Sequence, residues 1–174
     1  CALPIYGKEL QFYKGIPEIF KTLKEIISNK DKYKLFGINV EHYIVSTGLT
    51  EMIKGSGISE YVDGIWGCEF IETPVRTNLE IREDAKDEEK IIRQIGYIVD
   101  NTSKTRAIFE INKGANKFPE INVNGKMEKQ DRRVPFENMI YIADGPSDVP
   151  VFSVVKQYGG RTFAIYPKGK EKQF

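Results

Sequence analysis

Apolar residues Ile16, Phe20, Leu23, Ile26 and Ile27 recur at helical spacing, and Pro17 with Glu18 after Gly15 suits a helix start. The spacing predicts a helix that ends near Asn29. Residues 42–45 (His-Tyr-Ile-Val) form a short β-rich run that stops at Ser46-Thr47-Gly48, and 49–54 then reads as a short helix ended by Gly55. Residues 65–71 and 75–81 read as two extended pieces joined through Thr73-Pro74 as a hairpin. Ile91, Ile92, Ile95 and Ile98 mark one face of a predicted helix over 88–98, against the grain of its β-branched content.

Ser103 is placed to cap a helix over 104–112, which presents Ala107, Ile108 and Ile111 before Gly114 stops it. Residues 115–135 are polar, with Pro119, Asn122, Asn124 and Gly125, and read as an irregular excursion within a domain. The clearest unit is the strand 139–143 (Met-Ile-Tyr-Ile-Ala), followed by Asp144-Gly145-Pro146-Ser147-Asp148. An apolar helix then runs through Val149, Val151, Phe152 and Val155, Gly159-Gly160 ends it, and 161–166 begins another strand. Uninterrupted apolar strands alternating with helices predict an α/β fold, a Rossmann-like parallel sheet covered by helices on both faces.

The 174 residues suffice for one compact domain, and 40% hydrophobic with 29% charged residues excludes disorder as the main state. With 26 Lys and Arg against 25 Asp and Glu, the net charge of +1 supplies no global field for nucleic acid or an anionic membrane. No run of about 18 apolar residues and no signal-peptide pattern is present, so a cytoplasmic location is expected. Two cysteines, Cys1 and Cys68, make no disulfide framework. One histidine, His42, argues against His-rich zinc sites and a Ser-His-Asp hydrolase.

In an open parallel sheet, ligands bind beyond the carboxyl ends of the strands, which singles out two stretches. Ser46, Thr47 and Gly48 offer a hydroxyl and backbone N–H groups entering a helix, a ready anion receptor, although taken alone a plain strand-to-helix turn with Ser46 or Thr47 as a cap is the simpler account. Asp144 and Asp148 place one carboxylate at a strand tip and another at a helix start, a pairing that suits Mg²⁺ but is also good turn and cap chemistry. Lys104, just after a cap, sits at the unfavourable positive end of a helix dipole unless a phosphate or carboxylate holds it. A solvated lysine is the plainer account, and Arg106 is a rival for the same role.

Ser-Thr-Gly after a strand, lysine at a helix start, and an apolar strand with Asp144-Gly145-Pro146-Ser147-Asp148 resemble, in that order, the haloacid dehalogenase superfamily, especially its phosphatase-like members. The resemblance implies a core over 16–167, with 1–15 the end of a cap region or a linker and 168–174 a basic tail. It implies that Ser46, Thr47, Gly48 and Lys104 bind phosphate, that Ser46 and Lys104 are catalytic, and that Asp144 and Asp148 hold Mg²⁺ as cofactor. One departure matters most: the family's nucleophilic Asp-x-Asp ending its first strand is absent, because Asp31, Asp84 and Asp87 lie in charged surroundings rather than after an apolar run.

The first core strand and most of the cap are therefore expected outside this chain, in roughly 100 further N-terminal residues or a second polypeptide that completes the core. The expected function is a Mg²⁺-dependent phosphohydrolase that acts on a small phosphorylated molecule through an aspartyl-phosphate, inactive as this chain alone. The alternative is a non-catalytic Rossmann-like module binding a phosphate ligand or a protein partner.

Overall fold

The structure is a computed structural model that describes residues 3–72, 92 and 94–166. The chain divides into two compact units, Cys1–Ile98 and Val99–Phe174, with the boundary inside the stretch expected to form one core. The architecture is mixed α/β, with a three-stranded and a two-stranded sheet flanked by helices. Among the described residues no helix is long and apolar enough to cross a membrane.

In the first unit, the predicted helix appears as α2, Glu18–Ser28. A short α1, Leu3–Gly7, packs on α4, Thr50–Lys54, so residues 3–7 are docked. Glycine is required at that contact, because a Cβ on Gly7 would overlap the Met52 carbonyl and one on Gly55 the Pro4 carbonyl. A further helical turn, α3, spans Asp31–Leu35. Strand β1, Tyr43–Leu49, runs parallel to β2, Gly64–Ile71, and β3, Gln94–Tyr97, pairs antiparallel to β2.

Two expectations change here. The first strand does not stop at Ser46: it continues to Leu49, and α4 begins at Thr50. The register passes from Val45 opposite Trp66 to Leu49 opposite Cys68, so β1 accommodates Ser46-Thr47-Gly48 as an irregularity rather than a turn. Residues 94–97 are strand, not the end of a helix, because β2 offers an edge to pair with and the β-branched residues suit it. Ile95 and Ile98 are 57% and 58% exposed, so the helical spacing marks no buried face. The second hairpin piece, 75–81, and the start of the expected helix, 88–91, lie outside the described residues.

In the second unit, α5 spans Asn101–Lys113, β4 Ile140–Ala143, α6 Val149–Gln157 and β5 Arg161–Ala164. Strands β4 and β5 pair in parallel from Ile140 opposite Arg161 to Ala143 opposite Ala164. Helices α5 and α6 pack on each other, and α6 packs on both strands. Ile108, Phe136, Val151 and Val155 form the core, with Phe109, Met139, Tyr141 and Val154 against it. Among the described residues the expected two-sided cover is not found: Ile140, Ile142 and Phe163 are 63%, 52% and 52% exposed, on the face of this small sheet away from the helices.

The polar excursion is tied to α5 rather than loose. Lys113 Nζ donates to the carbonyls of Val123 and Gly125 at 2.7 and 2.5 Å, and the Asn112 side chain donates to the Val134 carbonyl at 2.7 Å. Gly114 ends α5 in the left-handed region at φ 91°, as its position predicts.

Candidate functional site

Helix α5 begins three residues earlier than the spacing predicts. Its N-cap is Asp100, which accepts from the Ser103 backbone N–H at 2.7 Å, while the Ser103 hydroxyl accepts from the Asp100 backbone N–H at 3.1 Å. Ser103 is thus the third helical residue of a capping box, not the cap. Lys104 falls one position further in, on the same face as Ala107, Ile108 and Ile111, and is only 5% exposed. That face buries the ammonium group, and a buried cation requires an answering charge.

Asp148 supplies it. Lys104 Nζ donates to Asp148 Oδ1 at 2.8 Å and to Ser147 Oγ at 3.1 Å. Asp148 lies where a one-turn 3₁₀ segment, Pro146–Asp148, passes into α6, yet its side chain makes no helix-capping bond. The carboxylate instead turns inward, 4% exposed. Its Oδ1 also accepts a hydrogen bond from the Tyr141 hydroxyl, and Ser147 Oγ lies 3.3 Å from Oδ2. Burial, followed by the Asp148 carboxylate as hydrogen-bond acceptor and as charge, pushes the Tyr141 phenol far above its ordinary range. Tyr141 therefore stays a neutral donor.

Gly145 leaves room for the carboxylate. A Cβ there would come within 3.3 Å of Asp148 Oδ2, closer than the carboxylate readily allows. Asp144, the first residue after β4, is exposed at the strand end, as the sequence predicts. Arg106, the rival cation, points elsewhere: its Nε pairs with Glu110 Oε1 at 2.9 Å along the exposed side of α5.

Ser46, Thr47 and Gly48 belong to the first unit, whereas Lys104, Asp144 and Asp148 belong to the second. Ser46 Oγ accepts from the Gly48 backbone N–H at 3.0 Å, so that N–H is spoken for. The serine O–H proton remains available to donate. Helix α4 behind it has only five residues, too short for its N-terminus to act as an anion receptor.

The donors for Mg²⁺ are partial. Asp144 fits as an oxygen ligand at a strand tip, but Asp148 Oδ1 already serves two donors and its Oδ2 lies 3.3 Å from Ser147 Oγ. Among the described residues there is no cluster of three His, Cys, Asp or Glu side chains able to hold a metal. A full octahedral set needs waters and oxygen ligands from elsewhere.

Sequence reasoning missed Tyr141 and Ser147 as members of this cluster. Strand alternation was the available signal, since it sets Tyr141 on the face opposite Ile140 and Ile142, toward the helices.

No family model matches the chain. It is similar to an uncharacterized protein of Borreliella burgdorferi, with 40% identity over 149 residues, which make up 86% of this chain and 50% of that protein. The chain thus spans about half the length of that relative. No solved structure matches.

Proposed function

We propose that this chain carries the phosphate- and metal-facing part of a Mg²⁺-dependent phosphohydrolase of the haloacid dehalogenase type. The observation that carries this reading is the buried Lys104–Asp148 pair, an ammonium held in place by a carboxylate four residues along the chain from the exposed, strand-end Asp144. An ammonium so held has three N–H donors. Asp148 and Ser147 take two, and the third suits a phosphoryl oxygen, whose growing charge it would stabilise in the transition state.

In this reading a carboxylate outside these 174 residues attacks phosphorus in line, the P–O ester bond breaks, and an acid protonates the departing alkoxide. Water then cleaves the acyl phosphate, releasing inorganic phosphate and restoring the carboxylate. Bound Mg²⁺ would neutralise charge between the attacking carboxylate and the phosphoryl oxygens, with Asp144 as one of its ligands. The exposed Ile140 and Ile142 of β4, which among the described residues pairs with β5 alone, and a relative twice the length matched support a further segment completing the fold.

The test is hydrolysis of p-nitrophenyl phosphate by the full-length protein, with Mg²⁺ and with EDTA. Activity is expected to need Mg²⁺ and to fall by roughly 10²–10³ in Asp144→Asn. Undiminished turnover in Asp144→Asn overturns the metal role, and a longer protein that binds phosphate without turnover points to the non-catalytic module.

A further inference from the structure

We propose that Tyr141 is a positioning residue that fixes Lys104 through Asp148, so that Asp148 serves this chain as the anchor of a cation rather than as a metal ligand. The proposal rests on the phosphohydrolase reading for what Lys104 faces, and on geometry for the rest. Asp148 Oδ1 receives the Tyr141 hydroxyl and the Lys104 ammonium together. An oxygen that accepts two strong donors is held against rotation about the carboxylate's own axis, and it is a poor partner for a second cation. The side chain makes no capping bond to the helix it begins, and beside the Tyr141 hydroxyl it has the longer contact of its Oδ2 with Ser147 Oγ at 3.3 Å.

Tyr141 is itself firmly placed. It sits on the helix-facing side of β4, opposite Thr162 of β5, and its ring meets Phe152 of α6 edge-on at 5.6 Å. Strand and helix thus fix the ring, the ring fixes the hydroxyl, the hydroxyl fixes the carboxylate, and the carboxylate fixes the ammonium. A shift of about 1 Å in a group that meets the reacting phosphoryl can cost on the order of 10²-fold in rate. A phenylalanine at 141 would keep every link except the hydroxyl.

The experiment compares Tyr141→Phe with Phe152→Leu in the full-length protein, using Mg²⁺-dependent turnover and the ¹⁵N resonance of the Lys104 ammonium with and without inorganic phosphate. Tyr141→Phe preserves ring packing, whereas Phe152→Leu loosens it and leaves the hydroxyl. In Tyr141→Phe, kcat is expected to fall roughly 10- to 100-fold with KM within about twofold, and the phosphate-dependent movement of the Lys104 signal to be lost. Phe152→Leu should melt earlier, lose clearly less kcat than Tyr141→Phe and keep the phosphate-dependent signal.

A Tyr141→Phe protein with wild-type kcat and Lys104 signal overturns the proposal, as does equal loss of kcat in both variants, which would mark a packing role alone. If the wild type turns over nothing, yet its Lys104 signal responds to phosphate and loses that response in Tyr141→Phe, the positioning holds and the phosphohydrolase reading fails. A Lys104 signal blind to phosphate in the wild type overturns both.

Discussion

The Lys104 ammonium and the Asp148 carboxylate meet at 2.8 Å across 44 residues of sequence, with side chains 6% and 5% exposed. Such a pair loses most of its hydration, and its mutual attraction is spent largely on replacing that loss. Removing one partner is a different matter, since it strands the other charge in the interior. Asp148→Ala and Lys104→Met are each expected to destabilise the second unit by about 3–5 kcal/mol, read by urea unfolding. The double variant Lys104→Met with Asp148→Leu should recover much of that loss. Single variants that unfold with the wild-type midpoint would show that the pair is solvated in solution.

His42 predicts a pH dependence for the first unit. Its side chain is 8% exposed and its ring lies 4.7 Å from that of Phe20. Burial first, and then the nearby Lys24 charge, lower its pKa from 6.5, while Asp63 opposes them. The unfolded chain therefore takes up a proton near pH 6.5 before the folded one does, so stability falls as the pH drops below that value until the folded histidine also titrates. Thermal melts between pH 7.5 and 5 should show this decline, and His42→Phe should flatten it. An unchanged slope in His42→Phe would assign the acid sensitivity elsewhere.

Asp100 gives the second unit an acid-sensitive helix start. Hydrogen bonds from Ser103, by side chain and by backbone, hold its carboxyl below the usual range. A group whose pKa is depressed by folding contributes stability above its unfolded value and loses it as the pH falls through the folded one. Hydrogen exchange in the first turn of α5 should thus quicken in acid, and Asp100→Ala should show the quickened rate already at neutral pH. Equal protection of the Ser103 amide in both proteins would dissociate the cap from the helix.

What could be read from the sequence depended on how local the cause was. Helix α5 and the run from β4 through Asp144-Gly145-Pro146-Ser147-Asp148 to α6 were legible because periodicity, glycine stops and turn residues act within a few positions. The cap of α5 was misplaced because Ser103 is a good capping residue, and only the reciprocal bond with Asp100 makes it the third residue of a box. Residues 94–97 defied helical spacing because pairing with β2 outweighs periodicity in so short a segment. Lys104 stands out in the sequence as a cation at the wrong end of a helix dipole, but the solvated lysine that is the plainer account is not what forms, because the partner that buries it, Asp148, lies 44 residues away in sequence. Tyr141 stayed hidden because in an apolar run its hydroxyl announces nothing until a distant carboxylate meets it.

Lys113 makes the polar excursion testable. Its ammonium bridges the carbonyls of Val123 and Gly125, and the adjacent Asn112 holds Val134 by side chain and backbone. Lys113→Met removes the bridge while keeping the aliphatic stem. It should raise hydrogen exchange and protease cutting within 115–135 and leave the core helices protected. Uniform loss of protection across the second unit would instead make the excursion part of its cooperative core.

The exposed face of β4 separates a finished surface from a covered one. Ile142 is 52% exposed and shares its face with Phe163 of β5, which is also 52% exposed, while Tyr141 and Ala143 turn toward the helices. In this chain Ile142→Glu exchanges one exposed side chain for another, so its unfolding free energy should stay within about 0.5 kcal/mol of wild type. If a further segment of the full-length protein covers this face, the same glutamate there is buried without a partner, and the loss should exceed about 2 kcal/mol. The two unfolding curves, compared in urea, decide the matter. A small effect in both proteins would leave Ile142 facing water in each.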